Sequence, residues 1–234
     1  MRRLLVVVVA LALTAPAAAQ DFSSIGSQYV DYGASMMAVG QLNNVLDGTA
    51  QRLRAATPTK VADTRYRASP AVSARVRDQF ADFTAKADPV QAGRLRETIR
   101  RQDLLALWEK HVAVDGLRRG DVADAMAAYW VQNWQIATRT AFVDRARVQA
   151  VRRQVAKALS ADPVFARLDD AGRQEMAETF MLNFVAQGSA YSDALSRRDT
   201  ALVQRLVGAA AARLRGEMKT DPRRLRLTPA GFAR

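Results

Sequence analysis

The groups in this sequence that could carry chemistry are one histidine, His111, two glutamates three residues apart, Glu175 and Glu178, and a tryptophan-rich stretch around Trp130. A single histidine rules out a His-rich metal site and leaves one imidazole for acid–base work. Its neighbour Glu109 is two residues away, and on a helix such residues do not face each other. They make a poor dyad, and His111 is expected at the surface or half-buried. Glu175 and Glu178 share one helix face, and two acids could serve glycoside hydrolysis. Such pairs usually flank a cleft from separate elements, however, and Arg173 or a neighbouring helix could simply neutralise these two. The chain has no cysteine. That excludes disulfides, thiolate zinc sites, cysteine nucleophiles and a lipid-anchored cysteine. Nor is there a Gly-rich phosphate loop, a G-x-S-x-G or an H-E-x-x-H. No catalytic residue, metal or cofactor is assigned.

The tryptophans sit in a gap. Between Arg119 and Arg139 there is no basic residue, and the gap holds Trp130 and Trp134, two of the chain's three tryptophans. Val122, Met126, Tyr129, Trp130 and Ala137 share one helix face; Ala123, Ala127, Val131 and Trp134 share another. A helix apolar nearly all round is a central, buried one. An arginine there would lose its hydration without a partner, which alone accounts for the gap. The alternative is a ligand cleft lined by Trp108, Tyr129, Trp130 and Trp134, with Gln132 or Asn133 hydrogen-bonding a sugar or apolar ligand. In a core, Asn133 or Gln135 would instead receive the indole N–H groups.

Arginine dominates the remaining charge. There are 30 arginines against 5 lysines, and the formal net charge is +12. Such a surface attracts anions: nucleic acid, anionic lipid, lipopolysaccharide or acidic wall polymer. Basic pairs recur, and Arg118, Arg119, Arg152, Arg153, Arg223 and Arg224 are the candidate anion contacts. Genome composition and the preference of cations for helix C-termini explain part of this pattern. No aromatic residues interleave with the pairs as a single-strand nucleic-acid groove would need.

The elements that must position these groups read as helices. "MRR", the apolar run Leu4–Ala15 and Ala17-x-Ala19 have the order of a cleavable signal peptide, residues 1–19. That run is shorter than the roughly 20 residues of a spanning helix. Export to a periplasm or beyond follows, genomic DNA is not an expected partner, and no transmembrane segment is expected after cleavage. Residues 20–68 read as a flexible leader, with a short helix near Val39–Arg54. From Ser69 to the C-terminus the pattern is helical. Ser69-Pro70, Asp88-Pro89, Asp103, Asp121 and Asp162-Pro163 are start signals. Val72, Val76, Phe80 and Phe83, then Leu95 and Ile99, are inner positions. A fifth helix spans about 141–160 with Phe142, Val148, Val151, Val155 and Leu159 inside. Asp169-Asp170 opens the longest helix, which Gly188 could interrupt, and a further helix follows Asp199. "DPRRLRLTPAGF" closes the chain as an extended or short helical tail. The fold class is all-α, a single bundle-like domain of about six to eight helices over 69–234.

With "RYRASPAVSARV", "GDVADAMAAYWVQNWQIA" and "RQEMAETFM" in view, the chain resembles a secreted bacterial family. That family is classed as a domain of unknown function, number six thousand six hundred and eighty-three. The resemblance covers about 65–230 and implies an exported helical domain, with no activity to carry over. The expected role is non-catalytic: an exported protein binding an anionic envelope polymer or lipid, or another envelope protein. The alternative is a cell-envelope hydrolase using carboxylates near a Trp-rich cleft.

Overall fold

A computed structural model describes residues 63–87 and 92–234. The signal segment, most of the leader with its expected short helix, and the Asp88-Pro89 start lie outside the described residues. The fold is all-α, with eight α-helices and one small hairpin among the described residues. They are α1 (Pro70–Ala87), α2 (Ala92–Arg101), α3 (Leu104–Val112), α4 (Val122–Thr138), α5 (Arg145–Ala161), the single turn α6 (Pro163–Ala166), α7 (Asp170–Ser196) and α8 (Thr200–Met218). A 3-10 turn at Ala113–Asp115 follows α3, and another at Pro222–Arg224 leads into strands β1 (Arg226–Thr228) and β2 (Gly231–Ala233).

Aspartate side chains set most of the helix starts. Asp103, Asp121, Asp144, Asp162, Asp169 and Asp199 each accept a backbone N–H from the first turn of the helix they precede. An N-cap of this kind satisfies a donor that the helix cannot satisfy itself and is worth about 1 kcal/mol. The Asp144 cap also corrects an expectation. Helix α5 begins at Arg145, and Phe142, expected inside, is 79 % exposed. Helix α4 ends at Arg139 in a left-handed conformation, so the chain turns through 140–144 before the next cap can start a helix. Gly188 does not interrupt α7, which is continuous. A Cβ there would lie 2.6 Å from the Gln132 amide nitrogen, so the glycine serves a close approach of α7 to α4.

Helix α4 is the axis. It packs against α5, α7 and α8, and α7 in turn packs against α1 and α3. Every residue from Asp121 to Val131 is buried. The inner positions read from sequence hold for Val72, Val76, Phe80, Ile99, Val148, Val151, Val155 and Leu159, all in one core. Phe83 is partly buried against it, and Leu95 lies outside the described side chains. The start of the domain differs from the expectation, and the tail takes both of the forms expected of it. Residues 63–68, assigned to the leader, lie against α4's start: Tyr66 donates its N–H to Gly120 (3.0 Å), Val122 to Thr64 (3.0 Å). The tail is a 3-10 turn and an antiparallel hairpin pairing Leu227 with Phe232. Gln154 of α5 clamps the hairpin, donating to the Phe232 carbonyl (3.1 Å) and accepting its N–H (2.9 Å). The Phe232 ring meets Trp134 at 6.1 Å. Among the described residues no helix is long and apolar enough to cross a membrane.

Candidate functional site

The residues of the alternative aromatic cleft lie in the core, where the favoured reading puts the Trp-rich helix. Trp108 (0 %), Tyr129 (2 %), Trp130 (1 %) and Asn133 (0 %) have almost no exposed surface, and Trp134 is half-buried. Burying each large aromatic side chain contributes roughly 1.5–3 kcal/mol by area, so these residues hold the bundle together. The indole partners are not those expected. Trp130 Nε1 donates to Glu217 (2.7 Å) and Trp134 Nε1 to the Leu225 carbonyl (3.1 Å). Trp108 Nε1 meets no partner among the described residues. Asn133 donates to its own helix at the Tyr129 carbonyl (2.8 Å) and accepts from Arg213 (3.2 Å).

These bonds outline a polar junction inside the core where α4, α7 and α8 meet. Glu217, itself buried, accepts from Tyr129 Oη on one oxygen (3.1 Å) and from Trp130 on the other. Burial pushes the Glu217 carboxyl up to about 7, against the Trp130 and Tyr129 donors and the Arg213 guanidinium, which favour its ionised form. Burial, and then the Glu217 charge, hold the Tyr129 hydroxyl well above its ordinary range, so it remains a donor. Buried Gln187 of α7 stands beside that hydroxyl, and its amide makes no well-formed hydrogen bond among the described residues. Sequence reading missed Glu217. The signal was present, because Leu206, Ala210, Leu214 and Glu217 follow spacings of 4, 4 and 3 and so place an acid on the buried stripe of α8.

The glutamate pair on α7 is divided between two packing tasks. Glu175 pairs with Arg75 of α1 (3.1 Å) rather than with Arg173. Glu178 is buried and accepts from Ser73 (2.7 Å) and Gln174 (2.8 Å). Gln174 also brackets Ser69, accepting its N–H (2.8 Å) and donating to its carbonyl (2.9 Å). That set fastens the first turn of α1 onto α7. Arg173 instead donates to the carbonyls of Asp63 and Arg65 and lies over the Phe165 ring. His111 is exposed, as expected, with Nδ1 2.8 Å from the Leu107 carbonyl.

The six candidate anion contacts do not form one set. Arg152 forks between two buried carboxylates, Asp121 (2.6 Å) and Asp124 (2.8 Å). Burial raises the Asp124 carboxyl and Arg152 opposes the rise. Asp121 also caps α4 and accepts from Thr64 (2.6 Å), while Asp124 takes the Arg118 N–H (3.0 Å). Arg152 is therefore an internal tie. Arg119 pairs with Glu109 (2.9 Å) and Arg223 with Asp221 (2.6 Å). Arg118, Arg153 and Arg224 are exposed and make no ion pair among the described residues. No group of three or more His, Asp and Glu that could hold a metal ion occurs among the described residues.

A family model, described as a family of unknown function (DUF6683), matches residues 1–233. No curated protein matches the chain, and no solved structure matches it.

Proposed function

The chain belongs to that family of unknown function, and from this premise we propose an exported, non-catalytic role in the bacterial cell envelope: binding an anionic partner through surface arginines. The observation that carries the reading is the division of the charges. The carboxylates that could have served catalysis are occupied in packing: Glu178 with Ser73 and Gln174, Glu175 with Arg75. Arg118, Arg153 and Arg224 remain outward and unmatched, on a chain carrying +12. A guanidinium in that position suits phosphate and carboxylate groups, which it meets with two parallel hydrogen bonds. The signal-like start at residues 1–19 supports export, and an acidic envelope polymer or lipid is the partner class such a surface would meet there.

The experiment is sedimentation of the protein with purified cell-wall sacculi and with lipopolysaccharide across a salt series. Exposed charges are screened within about 10 Å at 0.1 M salt, so binding should fall several-fold as salt rises through that range. It should weaken further in Arg118→Ala/Arg153→Ala/Arg224→Ala and be unchanged in Glu175→Gln. Turnover of the wall polymer that is lost in Glu175→Gln would instead establish a hydrolase.

A further inference from the structure

Among the described residues three large apolar side chains stand out into solvent: Val114, Phe142 (79 %) and Leu195 (52 %). The last two belong to one end of the bundle. Tyr191 of α7 packs against the cluster that Ile136 and Ala137 of α4 form with Ala210 and Ala211 of α8, and Gly188 of α7 meets Gln132 of α4, so α4 and α7 approach their C-terminal ends side by side. Each then stops with an arginine in the left-handed region: Arg139 (φ 56°) after α4 and Arg198 (φ 56°) two residues after α7. Glycine or asparagine is the usual residue there, because a Cβ is crowded in that conformation. A cation near a helix C-terminus is favourable, but any residue of the last turn would provide it without the strain.

Neither arginine makes an ion pair among the described residues. The nearby acids are committed elsewhere. Asp193 takes Arg197, Asp199 caps α8, and Asp144 caps α5 and holds Arg147. The segments that end α4 and α7 therefore each carry an exposed apolar side chain three residues from an unmatched guanidinium group, Phe142 with Arg139 and Leu195 with Arg198. Resting on the anion-binding reading above, we propose that this end of the bundle docks on an anionic phospholipid surface. Phe142 and Leu195 enter the boundary between headgroups and acyl chains, and Arg139 and Arg198 meet lipid phosphates. A soluble polyanion would engage the arginines but has no use for the apolar pair.

The test is flotation of the processed chain, residues 20–234, with vesicles of phosphatidylglycerol and phosphatidylethanolamine, against phosphatidylcholine alone. The protein should float with the anionic vesicles only. Phe142→Ser/Leu195→Ser should reduce flotation at least about tenfold, and so should Arg139→Gly/Arg198→Gly. The glycine variants relieve the left-handed strain, so their melting temperature should be unchanged or higher, which separates lost binding from lost folding. Absence of flotation, equal flotation with phosphatidylcholine, or flotation indifferent to both double variants would overturn the proposal. Salt-sensitive binding to sacculi without flotation would overturn it while leaving the broader function standing. Loss of both would remove both.

Discussion

At Glu217 a carboxyl is enclosed by a phenol and an indole, with the Arg213 guanidinium acting on it, on a helix whose inward side is mostly leucine, alanine and methionine. Burial raises it from 4.5 to about 7, and the sign of its effect on stability follows. In the unfolded chain the group ionises near its ordinary value, while in the folded protein it holds its proton longer. Its stabilising contribution is therefore complete below about pH 4.5 and is lost as pH rises through about 7. At 1.36 kcal/mol per unit the loss is at most about 3 kcal/mol. Denaturant unfolding from pH 4.5 to 8 should show that fall in the parent protein, and Glu217→Gln should remove it. A parallel pH course in the two proteins would show that Glu217 does not titrate in this range. Tyr129, which faces it from α4, keeps its proton over that interval because burial and the Glu217 charge hold it there, and Arg213 approaches from Glu217's own helix.

Helix α4 is held at its start by a device made from three separated parts of the chain. Asp121 and Asp124 are buried at its N-terminus, Thr64 approaches from the segment before α1, and Arg152 comes from α5. Acids at that end favour the helix dipole, but two adjacent buried charges need the guanidinium to be tolerated. Removing one member of a buried pair typically costs 3–5 kcal/mol. Arg152 is partly exposed, so a discounted value of about 2 kcal/mol is expected for Arg152→Ala in urea unfolding at pH 7. The deficit should shrink in acid, beginning at a higher pH than for an ordinary aspartate, because burial raises Asp124. Arg152→Lys should recover only part of it, since an ammonium cannot fork between two carboxylates.

For the whole molecule, the closed aromatic core makes a direct optical statement. Trp108 and Trp130 are buried and Trp134 is half-buried beneath the C-terminal hairpin. Acrylamide should quench the folded protein weakly and the unfolded chain several-fold more, with Trp134→Phe removing most of the residual quenching. Strong quenching that persists in Trp134→Phe would mean that the interior at Trp108 or Trp130 opens to solvent. The two-sided apolar pattern of 122–138 had already placed this helix at the centre, because a helix without a polar face must be surrounded.

The sequence by itself determined most of the described helices, five of their six aspartate caps and the central position of α4. Each depends on residues within a few positions of one another: an aspartate before a helix, or apolar residues three and four apart. Where such rules competed, local reading misjudged the result. Phe142 continued an apolar spacing, but the Asp144 cap started the helix after it. Gly188 resembled a break, but served a close approach. Only the tertiary structure decided what the polar groups do, because their partners are remote in the chain. Arg152 finds Asp121, Glu178 finds Ser73, and Glu217 finds Tyr129 and Trp130 across 31, 105 and about 88 positions. It is folding that brings those groups within hydrogen-bonding distance, and with them the division between arginines that tie the core and arginines that face outward.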